Sequence, residues 1–543
     1  MMQPSAILAL SAAVLLAACS PSPDVASSSA AVRRAAAPVD LKALHADASA
    51  IDWFEGDVDA AFDAAAKAGK PVFLYWGAQW CPPCKQLKSS VFSRPDFIAK
   101  SKSFVPVYLD GDLPNAQKWG DTFRVTGYPT VVIFKPDRTE IMRLSGGMDL
   151  SLYASVLDTV LGDVRPVRDI LTIAAEQTAP LAADDCRRLA YHAFGLEDGE
   201  IFPPELLARG FESAALRCPE SLARERARFQ ILAAGQLAEL EAAALRGGAA
   251  PSTRLKVLIT KVTDVLKDPE LALVNADALS QLGPAFFTAA RTGVPQLLGN
   301  LRARWMAVAD AVTTDQRFAP ADQLAAQLLK INAAKAFTPD GKVPTDISGN
   351  ALTAASVMLG EKQDPYVRAS IVNSAINIYL ALDDLPRARD LLAAEAKTSK
   401  NPHYYLGDLA DVEEKLGNED RALFLYADAY AQAKGPASRF QWGFNYLSGL
   451  IRMRPDDTDS IALVGDAVLG ELTGPDAVHR RTRGRLEKLD AQIKAWNSNP
   501  ARAAVAAKLH DRFADICAPG GVSHAPGDAA TECPEFLRLA GTR

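Results

Sequence analysis

Seven cysteines occur in the 543 residues, and two of them stand three apart in Trp80-Cys81-Pro82-Pro83-Cys84-Lys85. That spacing brings both sulfurs to the first turn of a helix, near enough to close a disulfide. At a helix N-terminus, N–H groups without helical partners and the positive end of the dipole favour a thiolate. Cys81 is then the attacking nucleophile. Cys84, one turn inward and more buried, resolves the mixed disulfide. The prolines cost little, because the first helical N–H groups have no partner anyway. The same spacing also serves as half of a zinc site or as a static structural bridge. Zinc needs further ligands, and no other Cys or His lies between residues 46 and 185. A place just after an apolar run, between Trp and Lys, argues against a static bridge.

Such a pair needs a strand to deliver it and a helix to hold it. Val58 to Ala68 has the spacing of an amphipathic helix closed by Gly69, and Pro71 opens an extended apolar run, Val72 to Trp76. A second helix starts at the cysteines. Extended runs follow at Phe104–Leu109, Thr130–Phe134 and Glu140–Leu144, with a last helix over Leu150–Leu161. This order predicts one α/β domain with a mixed sheet over residues 52–165.

The quoted residues resemble thioredoxins, whose Trp-Cys-x-x-Cys-Lys motif is intact here. Gly127-Tyr128-Pro129-Thr130 matches their cis-proline segment, with Pro129 45 residues after Cys84. The stretch from Lys70-Pro71-Val72 to Phe92-Ser93-Arg94-Pro95 looks closest to the thioredoxin-like C-terminal domain of periplasmic thiol:disulfide interchange proteins. The resemblance covers about a fifth of the chain. It implies a thioredoxin fold in which Pro129 joins Cys81 and Cys84 at the catalytic centre. It also implies that Trp80, Gly127 and Tyr128 meet the substrate, with the backbone before the proline offered as an added strand. Protein thiols and disulfides and a redox partner protein would be its partners, with no cofactor and no metal. One departure stands out: the family's buried Asp, six residues before the first cysteine, is Tyr75 here, and its Lys partner is Pro106. Losing both together avoids burying one unpaired charge, and leaves the direction of exchange open.

The rest of the chain reads as anchor and scaffold. A net charge of −6 with no basic stripe points away from nucleic acid. Ala6 to Ala18 is a thirteen-residue apolar run, too short to span a bilayer and suited to a signal peptide. It ends in Leu16-Ala17-Ala18-Cys19, which resembles the lipobox of bacterial lipoproteins, although no Lys or Arg precedes it. The resemblance implies cleavage after residue 18 and lipid on Cys19; an ordinary cleaved signal with an incidental cysteine is the alternative. Ser20 after the cysteine implies outer-membrane sorting. Residues 19–51 are Ser-, Pro- and Ala-rich and read as a flexible tether with a reach of about 30 Å.

From residue 166 onward helical periodicity dominates, predicting an α-helical domain (166–365), tetratricopeptide-like helical repeats (366–455) and a C-terminal helical region (456–543), together an α-solenoid or irregular bundle. Leu382–Ala388 aligns with Leu416–Ala422, and Ala388 and Ala422 are 34 apart, the tetratricopeptide period. A concave surface for a protein partner and a plain scaffold are both open. Cys186 and Cys218, 32 residues apart, sit at neighbouring ends of two predicted helices in an antiparallel hairpin; Cys517 and Cys533, 16 apart, bracket a Gly- and Pro-containing loop. As structural disulfides these would add roughly 3–4 and roughly 3 kcal/mol on the chain-entropy model. Two functions follow. One is a periplasmic, membrane-anchored thiol–disulfide oxidoreductase with a helical domain for clients or partners. The other is a helical-repeat scaffold on which the thioredoxin domain only docks.

Overall fold

The computed structural model describes residues 51–113, 116–144, 150–195, 201–338, 341–472 and 477–517. The N-terminal part is built on four strands, β1 (Val72–Gly77), β2 (Val105–Asp110), β3 (Thr130–Phe134) and β4 (Glu140–Leu144). Their order is β2-β1-β3-β4, with β2 parallel to β1, and β3 antiparallel to both β1 and β4. Around them lie α1 (Val58–Ala68), α2 (Pro82–Leu87), α3 (Pro95–Ser101), α4 (Ala116–Thr122) and α5 (Leu150–Asp158), and a π-helical turn (Lys88–Phe92) continues α2. Asp57 caps α1 by accepting from Ala60 N at 2.7 Å, and Gly69 closes it at φ 62°, where a residue without Cβ is unstrained.

Every residue of β1 is buried, as a central strand with both faces covered requires. Side chains alternate, so Val72, Leu74 and Trp76 pack with Phe62 of α1, while Phe73 and Tyr75 face Leu87, Phe97 and Tyr153. The second core does not end at the domain. It runs on into the helices that follow, through Val167, Phe211 and Phe286 as far as Phe337.

Those helices begin with α6 (Val167–Glu176), α7 (Ala183–Tyr191), α8 (Pro204–Arg217), α9 (Ala223–Leu240), α10 (Ala242–Arg246) and α11 (Thr253–Val265). Then come α12 (Pro269–Leu273), α13 (Ala276–Ser280), α14 (Pro284–Gly293), α15 (Leu298–Val312), α16 (Pro320–Phe337) and α17 (Thr345–Gly360). The last are α18 (Pro365–Ala381), α19 (Leu385–Thr398), α20 (Pro402–Lys415), α21 (Glu419–Gln432), α22 (Pro436–Met453), α23 (Thr458–Leu469), α24 (Arg480–Trp496) and α25 (Pro500–Cys517). No strand occurs among the described residues of this region. The helical path breaks at Glu241 between α9 and α10.

A disulfide joins Cys186 to Cys218 with Cα atoms 6.0 Å apart. The hairpin expected around it is not the main packing, because α8 lies chiefly against α6 and α9. Between α18 and α21 the chain repeats its geometry at a spacing of 34 residues. Asp383 and Gly417 take left-handed φ of 58° and 81°. Asp384 N donates to Tyr379 O at 2.8 Å and Asn418 N to Glu413 O at 2.9 Å, while Ala388 and Ala422 are completely buried. A third core fills α16 to α25. Cys19 and Cys533 lie outside the described residues, and so does the expected Cys517–Cys533 pairing.

Candidate active site

The site starts where β1 ends. Cys81 is the N-cap of α2, with Pro82 and Pro83 in the first helical positions, and its Sγ accepts from Cys84 N at 3.1 Å. The sulfur therefore lies against a helical N–H group that has no partner within the helix. The two cysteines form a disulfide with Cα atoms 5.2 Å apart. The Tyr128–Pro129 peptide is cis, and Thr130 Oγ1 fixes this loop by donating to Gly127 O at 2.9 Å. Tyr128 stacks on Trp76 at 6.1 Å and meets Trp80 edge-on at 5.8 Å. Gly111 makes room for it: a Cβ there would fall 1.8 Å from the Tyr128 hydroxyl. Trp80, Cys81, Cys84 and the cis-proline loop are thus one cluster.

Residues 58–161 match the family model of the thioredoxin-like domain. This part of the chain is a thioredoxin-like domain. Over 104 residues it is 32% identical to the thiol:disulfide interchange protein DsbD 1 of Pseudomonas aeruginosa, an alignment covering 18% of each chain. It is 29% identical over 101 residues to the DsbD of Pseudomonas fluorescens, covering 18% of this chain and 17% of that one. A thioredoxin of Acidithiobacillus ferridurans is 27% identical over 110 residues, covering 20% of this chain and 91% of the relative. The chain thus spans under a fifth of the length of its two DsbD relatives.

Within the thioredoxin-like domain, the position six residues before Cys81 holds a neutral group. Tyr75 is fully buried, stacks on Tyr108 at 5.1 Å, and its hydroxyl has no hydrogen-bond partner. Burial, then the nearby Asp110 carboxylate, holds its phenol far above the ordinary range. Pro106 pairs with Phe73 two pairs along the strand, so no Lys stands there. Carboxylates appear instead at the end of β2. Asp110 accepts from Tyr108 OH at 2.8 Å and from Asp112 N at 3.0 Å. Asp112 accepts from Trp80 Nε1 at 2.8 Å and from Ser438 Oγ. Withdrawal from water and then the Asp110 charge push Asp112 up to about 7.

Ser438 belongs to α22, and it is one of several helical residues at this site that sequence reasoning did not find. Ser370 of α18 donates to Pro82 O at 3.2 Å, and α18 packs along α2. Tyr404 of α20 stacks on Trp80 at 6.1 Å, and His403 meets the same ring edge-on at 6.4 Å. His403 is buried and its Nε2 has no partner; burial pushes it down to about 4, so the ring is neutral. Arg481 of α24 lies 4.2 Å above the Tyr128 ring. Cys81, expected to be the more open sulfur, is only 2% exposed beside 0% for Cys84. Asp112 alone carried a local signal, as an acid just past a strand that ends near the cysteines. The helical residues carried none, since nothing in one sequence links positions over 280 apart.

Proposed function

We propose that this chain is a thiol–disulfide oxidoreductase acting on protein disulfides through Cys81 and Cys84, with a helical domain that recruits clients or partners. The observation that carries this reading is Cys81 at the N-cap of α2, disulfide-bonded to Cys84 and next to Trp80, whose ring meets Tyr128 of the cis Tyr128–Pro129 peptide. In the reductive direction the Cys81 thiolate attacks one sulfur of a client disulfide. A bond forms between Cys81 Sγ and that sulfur, and the other client sulfur leaves as a thiolate and takes a proton. Deprotonated Cys84 then attacks Cys81 Sγ, the mixed disulfide breaks, and the second client thiol leaves. Two electrons have passed to the client, and Cys81–Cys84 is oxidised until a dithiol partner protein reduces it. Oxidation of clients is the same sequence reversed. A potential near about −270 mV would mark a reductant and one near about −120 mV an oxidant. Trp80, Gly127 and Tyr128 form the substrate shelf in this reading, and Pro129 lines the disulfide.

The periplasmic side of a bacterial membrane, with lipid on Cys19 and outer-membrane sorting, is part of the same proposal. It rests on the Leu16-Ala17-Ala18-Cys19 ending. Among the described residues no helix is long and apolar enough to cross a membrane. Cys186–Cys218 and Cys517–Cys533 act as structural bridges, and the 34-residue geometry of α18–α21 fits tetratricopeptide-like repeats.

Replacing Cys84 by Ser tests the central claim. Cys84→Ser has no internal route to release a mixed disulfide, so it should accumulate covalent adducts with client proteins that vanish on adding reductant. Cys81→Ser should trap far fewer. The burial of Cys81 favours a second reading, a scaffold on which the thioredoxin-like domain only docks. That reading prevails if Cys84→Ser traps nothing while a non-covalent partner still binds the helical region.

A further inference from the structure

A disulfide is attacked along the extension of its S–S bond, and a polypeptide client also needs the edge beside the cis-proline for its backbone. The disulfide is not open here. Cys81 and Cys84 are 2% and 0% exposed. Contacts from the helical region, on five separate helices, converge around them. The α18 helix lies on α2, with Ser370 bonded to the Pro82 carbonyl. Tyr404 occupies the face of Trp80, and Arg481 occupies the ring of Tyr128. From α22, Ser438 bonds Asp112; Gly435 lies so close that a Cβ would fall 2.4 Å from Asp112 O. At the rim Asp322 of α16 is bonded to Gln86, and Arg483 of α24 pairs with Asp121 at 3.4 Å.

The contacts fall on the two shelf aromatics and on the helix that carries the cysteines. A client docking as an added strand would need the same places. We propose that the helical region is a self-inhibitory cover that competes with protein clients for Trp80, Tyr128 and α2, so that exchange proceeds only from molecules in which the cover has moved away. This rests on the exchange reading above for its client, but the cover itself is open to a separate test. In a two-state equilibrium the observed rate at Cys81 is the intrinsic rate scaled by the open fraction. Tyr404 supplies an aromatic stack and buried area, and the close approach of Gly435 leaves no space for a methyl group. Loosening either contact should raise the open fraction without touching a sulfur.

The test uses the full-length chain with Cys81–Cys84 reduced. Cys81 is labelled either with iodoacetamide or with a maleimide on a polyethylene glycol of roughly the size of a small protein domain, and rates are read by peptide mapping. In the wild type the bulky probe should lag the small one far more than it does at a free surface thiol. Tyr404→Ala and Gly435→Ala should speed bulky labelling about tenfold, and Ser438→Ala by a smaller factor. Unfolding shows itself separately, because Cys84 would then label as fast as Cys81. Should Tyr404→Ala unfold, Ser438→Ala and the wild-type ratio of the two probes carry the test. A wild-type ratio equal to that of a surface thiol, or variants that leave the bulky rate unchanged, overturns the cover. Faster labelling in the variants with no client trapped by Cys84→Ser would leave the cover standing and sink the exchange reading instead.

Discussion

The thioredoxin-like domain and the helical region meet at the same disulfide by opposite means. In the domain, the residues that make the site are held by local geometry. Cys81 caps the helix it precedes, Cys84 sits one turn later, and the cis peptide directly precedes β3. In the helical region, the residues touching the site stand on helices whose own cores point elsewhere. Ser370, Tyr404, Ser438 and Arg481 come from four helices, each of which also packs against other helices of that region. The domain supplies reactivity and the helices supply access. The two can therefore be altered independently, which a self-contained redox domain would not allow.

The sharpest way to break this comparison is to set one disulfide against the other. Cys81→Ser should lower exchange on the order of a thousandfold or more, as removal of a nucleophile does, while leaving thermal stability close to the wild type in reducing buffer. The double replacement Cys186→Ser with Cys218→Ser should do the reverse. Opening the 32-residue loop should cost about 3–4 kcal/mol on the chain-entropy model. Denaturant midpoints and exchange rates on the same preparations check both. A large loss of exchange per folded molecule in the Cys186/Cys218 variant would mean that those sulfurs relay electrons, and the division of labour fails.

Next in size is a glycine pair within the domain. A Cβ on Gly111 would meet the Tyr128 hydroxyl at 1.8 Å, whereas one on Gly127 meets nothing within 4 Å. Gly111→Ala should cost about 1–3 kcal/mol, as overpacking does, and displace the ring that both Trp80 and Arg481 contact. Gly127→Ala should be near neutral in stability. Equal effects in urea melts would show that the Tyr128 ring is not confined as drawn.

The same contrast explains what was legible in the sequence. Helix and strand periods, the caps and the Cys-x-x-Cys spacing are local, and β3 and β4 fall on the residues their apolar runs indicate. The thioredoxin-like fold and an all-helical remainder follow from such signals. What could not be read is non-local. The expected hairpin of α7 and α8 assumed that consecutive helices pack together, and α8 instead chose α6 and α9. A boundary near residue 165 suggested separate domains, yet the core around Phe97, Tyr153 and Val156 continues into Val167 and Ile170. Cutting there would bare that apolar surface, so deleting the helical region is a poor test of either region. The cover was invisible for the same reason: Tyr404 reads as one more apolar helical position until Trp80 is set against it.

The smallest expected effect lies where the two regions share a titrating group. Asp112 accepts from Trp80 on the domain side and from Ser438 on the helical side. Asp110 faces it as a like charge, and Arg481 of α24 as an opposing one. Burial, then Asp110, lifts Asp112 from the ordinary carboxylate range to about 7 in the closed arrangement. A raised acid pKa means that the closed arrangement binds the proton more tightly than an open one, where Asp112 returns towards an ordinary value. The contribution of Asp112 to closure is therefore full below about pH 4, shrinks as pH rises above that value, and is lost by the time pH has passed through about 7. Hydrogen exchange of the α2 amides, corrected for intrinsic rates, should show the cover opening by a few-fold more at pH 8 than at pH 5.5. Asp112→Asn cannot ionise and should flatten that slope, while its amide oxygen still accepts from Trp80 and its NH2 donates to the Ser438 hydroxyl. An equal slope in the Asn variant would assign the pH response elsewhere, to Asp322 beside Gln86, which burial lifts to about 6 on the same interface.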